Sequence, residues 1–499
     1  MLLRPLNREQ TWLFPPTLDE LLPQDHPCRF VGEFVDGLDR AGWAELGIGI
    51  EGEPLGAPAY HPRVLLSVWL YGFMTGVRSC RKLEAACRDQ IPYLWLTGWQ
   101  HPDHNTLWRF YKEHRGAMRG LLKRTVHTAV DMGLVDMAVQ AVDGTKIAGN
   151  AAKARTYDAA GLQRLLNRTE AAIGDLEAQN EAGEDSVPVR LPEQLSKKRA
   201  LREQVRAAMK RLASQEGHKR INLTDGDAGV MKTRQGIVPG YNAQAMVSPL
   251  DQDEAGGSGL MITAAEVVKD PDDHALLVPM LKEAEDITGE RADSSLADAG
   301  YHSGPNLEAC EQRSQRVTMP EAQDKALKNP YHKDHFAYDE TTDSYTCPQG
   351  QLLHFTGLKQ RSEKPTMRVY RGSGAICRVC PAFGMCTKDH RKGRALEIGP
   401  YEAILRSHRE WMATDEAKAA YAQRKELPEP AFGILKERHG ARRFLLRGLS
   451  NVGAEWKLLA TAFNLGTLCQ VSSRRLGTSS TWAGLWSSDR SVLTAVAVP

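Results

Sequence analysis

Three carboxylates stand far apart in the chain, each in a distinctive setting: Asp143 in AVDGTKIAGNA, Asp298 in LADAGYHSG and Glu429 in YAQRKELPEPAFGILK. Carboxylate oxygens are natural ligands of Mg2+. Two such ions roughly 4 Å apart can stabilise both the attacking and the leaving oxygen of an in-line displacement at phosphorus. The trio therefore points to two-metal phosphoryl transfer, with Mg2+, or Mn2+ in its place, held by Asp143, Asp298 and Glu429. Asp143 closes the apolar run Met137 to Val142 and Asp298 closes the weaker run Leu296-Ala297, so each is expected at the carboxyl end of a strand. Glu429 is expected to open a helix: Pro430 suits a first turn, and Lys436 then lies about two turns further along the same face. Taken alone, Glu429 would be an ordinary carboxylate favoured by the helix dipole.

The elements that must position these acids can be followed along the chain. Residues 1–135 read as a helical domain, with Pro62 before RVLLSVWLYGFM, then CRKLEAACRDQ, NTLWRFYKEH and MRGLLKRTVHTAV in helical periods. Arg78, Arg81, Arg109, Lys112, Arg115, Arg119, Lys123 and Arg124 would give it a distributed positive face, or simply a solvated one, and Trp108 and Phe110 read as core. After the Asp143 strand, extended segments are expected near Tyr241 to Val247 and Leu260 to Val268. A helix from about Pro271 to Ile287, with Asp270 as its N-cap, should precede the Asp298 strand. Pro428 argues against continuity between the Glu429 helix and the one before it. Asp225, Asp227, Asp270, Asp272, Asp273 and Glu426 are further acids, most of them read as capping, turn or solvated groups, with Asp225 the strongest outsider.

Two insertions interrupt this core. Residues 155–220 read as a helical hairpin broken around Gly183 to Pro192, with seven acids and one Arg in 170–194 against nine Lys or Arg and two Glu in 196–220. Either the arms pair electrostatically or the basic arm follows DNA phosphates. Residues 325–400 form a Cys-rich insertion in which Cys347, Cys377, Cys380 and Cys386 could converge on one tetrahedral Zn2+, or remain reduced and metal-free.

The chain has 499 residues, which suggests several domains, and 41% hydrophobic residues suffice for an ordinary core. Its net charge is only +2, so any nucleic-acid contact must use local positive patches such as Lys436, Arg438, Arg442, Arg443 and Arg447. The start MLLRPLNREQ lacks an apolar signal core, and the run Val64 to Met74 is too short to span a bilayer, which suggests a cytoplasmic protein without membrane partners. Nine cysteines argue against a disulfide framework. Residues 471–499, with seven Ser, read as a flexible tail.

These motifs, in this order, resemble bacterial insertion-sequence transposases of the DDE superfamily. The resemblance rests on Pro102-Asp103-His104, Trp108-Arg109-Phe110, Asp143-Gly144-Thr145-Lys146, Tyr241-Asn242-Ala243-Gln244, Asp298-Ala299-Gly300-Tyr301 and the stretch Arg442 to Leu449. Tyr421, Arg424, Glu429 and Lys436 fit a Y-x2-R-x3-E-x6-K pattern, with four residues in place of three between Arg424 and Glu429. The subgroup it looks most like is insertion sequence eleven-eighty-two. The resemblance covers about residues 15–468.

It implies an α/β architecture: an RNase H-like mixed-sheet catalytic domain over 136–470, an all-α N-terminal DNA-binding domain, the two insertions and the tail. In such a sheet the first and fourth strands are parallel neighbours, which would bring Asp143 beside Asp298. The implied activity is cleavage at the terminal inverted repeats of an insertion sequence, then attack of the freed 3'-hydroxyl on target DNA. The partners are double-stranded DNA and a second copy in the DNA complex. Tyr421, Arg424, Lys436, Arg438, Arg442 and Arg443 are the expected phosphate-binding groups. The alternative is a retired transposase that binds or regulates DNA without catalysis. A tyrosine recombinase would need an Arg and His cluster around Tyr301 or Tyr421, which the sequence does not supply.

Overall fold

The computed structural model describes residues 16–50, 59–181, 190–214, 219–233, 236–322, 329–360 and 365–476. The N-terminal helices are α1 (Pro27–Asp36), α2 (Arg40–Glu45), α3 (Pro62–Met74), α4 (Cys80–Asp89), α5 (Ile91–Thr97), α6 (His104–His114) and α7 (Ala117–Asp131). Proline opens α1 and α3, where its missing N–H costs nothing, and Asp103 caps α6 through Thr106 N. Leu65 to Phe73 of α3 are all buried, so the apolar run is a helix surrounded on every side. No described helix is long and apolar enough to cross a membrane.

The central sheet contains β1 (Val139–Ala148), β4 (Gly229–Thr233), β5 (Gly236–Pro249), β6 (Leu260–Val268), β7 (Ser294–Leu296) and β8 (Arg316–Thr318), while β2 (Thr156–Tyr157) and β3 (Ile221–Asn222) form a separate ribbon. β5 runs antiparallel to β1, with Asp143 opposite Ala245. β6 and β4 share the other edge of β5, since Gly240 pairs with both Ala148 and Gly229. β7 lies parallel to β1, Ala141 facing Leu296, and β8 parallel to β7.

Side chains alternate across the sheet. Ala141, Ala243, Ala245 and Val247 join the large core, whereas Val142 and Met246 pack with Leu277, Met280 and Leu281. Those three belong to α10 (Leu277–Thr288), which starts later than the expected Pro271; its N-cap is Leu276, without a capping side chain, and not Asp270. Asp143 also departs from expectation. It sits in the middle of β1, because the ladder with β5 continues through Thr145 and Ile147 to Ala148.

The ribbon closes the base of a helical hairpin, α8 (Ala159–Glu181) and α9 (Arg190–Ser214). Leu162, Val205, Ala208 and Leu212 form its core, and Arg199–Glu177 (2.7 Å) and Arg206–Glu170 (2.8 Å) tie the arms across their exposed flanks. Electrostatic pairing of the arms is therefore realised. Exposed pairs of this kind contribute about 1 kcal/mol or less, so the apolar seam carries the hairpin. Residues 182–189 of its expected turn lie outside the described residues.

After α11 (Gly304–Gln312) a second, antiparallel sheet is built from β9 (Ala337–Asp339), β10 (Ser344–Thr346), β11 (Leu352–Lys359), β12 (Met367–Arg371) and β13 (Ala395–Ile398), with α12 (Gly374–Val379) between the last two. The chain then returns through α13 (Glu402–Ala413), α14 (Asp415–Ala422), a 3-10 turn at Gln423–Glu426, and α15 (Pro428–Glu437) to α16 (Leu449–Leu476). α16 continues six residues into the segment expected to be a tail, burying Val471 and Ser472; residues 477–499 lie outside the described residues.

α16 joins the two halves. Trp456, Leu458, Leu459, Phe463 and Leu465 are buried, each such side chain worth roughly 1.5–3 kcal/mol. Asn464, fully buried, accepts from Ile262 N (2.9 Å) and donates to Ile262 O (2.9 Å) and Thr125 Oγ1 (3.1 Å), linking the edge strand β6 to α7. The Arg78–Glu455 ion pair (2.9 Å) is buried in the same interface. Arg78 is thereby removed from the expected positive face, and Arg119 is turned to Glu283 (2.7 Å). Arg81, Arg109, Lys112 and Arg115 remain exposed. Phe110 is core as expected, but Trp108 is 36% exposed and stacks on Tyr111.

Candidate active site

β1 carries Asp143 on the sheet face covered by α15 and α16, and Asp298 follows the parallel neighbour β7 by two residues. Between them lies Arg424, from the 3-10 turn before α15. Its Nη2 is 2.9 Å from Asp143 Oδ2 and 3.9 Å from Asp298 Oδ2. Arg424 is 8% exposed and its Nε has no hydrogen-bond partner, so the guanidinium is held here chiefly by the two carboxylates. The expected phosphate-binding arginine is thus an internal counter-ion in this state.

Burial pushes the Asp143 carboxyl up to about 6, and Asp298 and Asp273 push in the same direction; Arg424 and the Gly144 N–H oppose them. The Gly144 amide donates to Asp143 Oδ1 (2.8 Å), and the Gly300 amide donates to Asp298 Oδ1 (2.8 Å). Each acid is therefore oriented by a backbone donor close to it in sequence. Two hard carboxylates facing one cation form a donor set that suits Mg2+.

Glu429 lies exposed in the first turn of α15 and does not share the Arg424 guanidinium with Asp143 and Asp298. Its helix is nonetheless registered against β1: Lys436 Nζ donates to Thr145 Oγ1 (2.6 Å). Tyr421 is half-buried at the end of α14, and Arg438 is exposed. Arg442 pairs with Glu437, and Arg443 Nε donates to Gly149 O (3.1 Å). As Pro428 leads one to expect, the helices are discontinuous: α14 ends at Ala422, a 3-10 turn and then Leu427 follow, and α15 starts at Pro428.

On the other sheet face, the side chains of Lys146, Asn242 and Gln244 meet Asp273. Its Oδ1 accepts from Asn242 Nδ2 (2.7 Å), Gln244 Nε2 (2.8 Å) and Lys146 Nζ (3.2 Å). Gln244 Oε1 accepts from the Tyr301 hydroxyl, a group whose pKa burial drives well above the ordinary phenol range. From the sequence Asp273 reads as a capping or solvated acid, and Lys146, Asn242, Gln244 and Tyr301 stand in the motifs without a part in orienting the acids. The available signal was the pair of polar side chains alternating inside the buried strand YNAQAMV.

Asp225 and Asp227 are elsewhere. Asp225 accepts from Tyr241 OH (2.7 Å) and Gly448 N (3.2 Å), and Asp227 from Leu449 N (3.0 Å), so both anchor the start of α16.

In the second sheet Cys347, Cys377, Cys380 and Cys386 line one small cavity, with Gln351 N donating to Cys347 Sγ (3.3 Å). Burial pushes the Cys386 thiol up, and the other three act in the same direction. All four are free thiols. As placed among the described residues, no three His, Cys, Asp or Glu side chains are grouped tightly enough to hold a metal.

No curated protein and no solved structure matches the chain. Residues 346–469 match the family model described as Transposase DDE domain, a span that contains Glu429 and the four cysteines but neither Asp143 nor Asp298. Residues 16–113 match the Transposase domain (DUF772). The two matches support a DNA transposase of the insertion-sequence DDE kind, a class of metal-dependent DNA-cutting enzymes.

Proposed function

We propose that the protein binds the terminal inverted repeats of an insertion sequence, cuts them and joins the freed 3'-ends to target DNA. The observation that carries this reading is the convergence of Asp143 and Asp298 on one cation from parallel neighbouring strands. The strand order β6-β5-β1-β7-β8, with the last three parallel, supports an RNase H-like core. Motif order supports the eleven-eighty-two subgroup.

Asp143 and Asp298 would hold Mg2+, with Mn2+ as substitute, and Glu429 would complete the set from the helix that Lys436 registers on β1. The bound ions supply charge stabilisation at both the attacking and the leaving oxygen. Arg424, released from Asp143, Lys436, Tyr421 and the basic run Arg438, Arg442 and Arg443 would hold the phosphates of the cut strand. Exposed Arg81, Arg109, Lys112 and Arg115 would let the helical N-terminal region follow duplex phosphates. Paired-end chemistry implies a homodimer on DNA, working in the cytoplasm. One structural Zn2+ at Cys347, Cys377, Cys380 and Cys386 belongs to the same reading, and the four thiols, which line one cavity, would have to close on the ion to hold it.

The test is cleavage and strand joining of duplex carrying the inverted repeats that flank the gene, with Mg2+ or Mn2+, for the unmodified protein and Asp143→Asn, Asp298→Asn and Glu429→Ala. Metal-dependent 3'-hydroxyl products lost in all three variants support the reading. Activity unchanged by Glu429→Ala removes that residue from the site. Binding without product under every metal condition favours the retired, DNA-binding alternative.

A further inference from the structure

Asp273 is the acid that neither the motif pattern nor a capping role explains. The N-cap of α10 is Leu276, three residues later, and the Asp273 side chain turns away from the helix to the sheet. There it meets a strand that is polar where it should be apolar: Asn242 and Gln244 are fully buried on β5. Buried amides without partners are costly, and both donate to the same oxygen, Asp273 Oδ1. Lys146, opposite Asn242 in the β1–β5 ladder, adds its ammonium to that oxygen at 3.2 Å.

From this hub the connections run to both metal-facing acids. Gln244 passes on to the Tyr301 hydroxyl, Tyr301 N donates to Asp298 O (3.2 Å), and so the turn that aims Asp298 is tied to β5. Lys146 and Gly144 lie on β1 with Asp143, on the opposite face of the strand from it. A Cβ on Gly144 would stand 2.9 Å from Asp273 Oδ1, and one on Gly300 would stand 2.8 Å from Asp298 Oδ1 and 3.5 Å from Asp273 Oδ2. The two glycines leave the space in which Asp273 approaches β1 and the Asp298 turn.

We propose that Asp273 is the positioning residue of this site: by binding Lys146, Asn242 and Gln244 at once, it sets the separation of Asp143 and Asp298 to suit a divalent cation. The proposal rests on the metal-dependent reading above. Groups that orient metal ligands from behind cost about 10- to 100-fold in metal affinity or activity when removed. Asp273→Asn retains one amide-accepting oxygen and loses the charge that pairs with Lys146; Asp273→Ala loses both.

The experiment measures Mn2+ binding to the DNA-free protein by electron paramagnetic resonance, beside cleavage of the inverted-repeat duplex. Asp273→Ala is expected to weaken Mn2+ by about 10- to 100-fold and slow cleavage while duplex affinity stays within about twofold, and Asp273→Asn to recover part of both. Leu281→Ala opens a cavity in α10, the helix that follows Asp273, and serves as control: it should lower thermal stability and leave Mn2+ affinity unchanged. Unaltered Mn2+ binding in Asp273→Ala, with loss in Asp143→Ala, overturns the positioning role and leaves the metal reading intact. Unaltered Mn2+ binding in Asp143→Ala and Asp298→Ala overturns the metal reading, and this role with it.

Discussion

Arg424 Nη2 stands 2.9 Å from Asp143 Oδ2 while its own Nε is buried without a partner. An arginine in that place does what an incoming cation would do, neutralising a carboxylate that burial has made reluctant to ionise. It must be displaced before a metal ion can approach the same oxygen. Arg424→Gln is therefore expected to tighten Mn2+ binding in the absence of DNA by about tenfold, about 1.4 kcal/mol, yet to slow cleavage of bound duplex. Calorimetric titration with Mn2+ beside single-turnover cleavage checks the pair; weaker metal binding in the variant would refute the competition.

Asp143 also gives the metal-free protein a pH signature. Its carboxyl titrates near 6 in the folded chain, against 3.8 as the reference value. Between those values the folded state holds more protons than the unfolded one, so stability falls as pH rises through the window and levels off above it. Relative to Asp143→Asn, the unmodified protein should lose about 2 kcal/mol from pH 4 to pH 7. Urea unfolding of both proteins at several pH values reads this difference directly.

Lys436 offers a separable test of strand positioning. Its hydrogen bond to Thr145 places the ammonium two residues along β1 from Asp143, on the same face. Lys436→Ala should slow cleavage by about 10²-fold, the scale of a misplaced reacting group, and leave Mn2+ affinity of the free protein unchanged. If Mn2+ binding falls as well, Lys436 serves the metal site and not the DNA.

The Arg78–Glu455 pair predicts a purely structural effect. Glu455 is 1% exposed and also accepts from Leu445 N and Leu446 N, so its removal leaves the buried Arg78 guanidinium without a counter-charge and two amides without that acceptor. Glu455→Ala should cost about 3–5 kcal/mol in chemical denaturation. A loss under 1 kcal/mol would mean that water reaches the interface.

Much of the scaffold was legible in the sequence because its signals are local. Apolar runs marked α3, β1, β5 and β6, and Pro62 marked the start of α3. The misreadings came where tertiary partners decide. Asp143 reads as a strand end because the apolar run Met137 to Val142 stops at it, but β5 pairs the stretch beyond it and the polar groups Thr145 and Lys146 find partners across the site. Arg424 carries no local sign that it will turn inward to a carboxylate nearly three hundred residues away. Asp273 resembled any acid before a helix, and only the fold reveals that two buried amides wait for it.

The long helix α16 has a consequence for how the protein is made. It lies against α3, α7, α15 and the edge strand β6, all of which precede it in the chain. A ribosome has therefore finished every strand and acid of the site before it synthesises the helix that covers them. Until then β6 presents an open edge and α3 and α7 lack a main packing neighbour, a state that favours chaperone binding. Competence for DNA chemistry would arrive abruptly, with the emergence of the last core segment, and a transcript broken upstream of it would encode the acids without an enzyme.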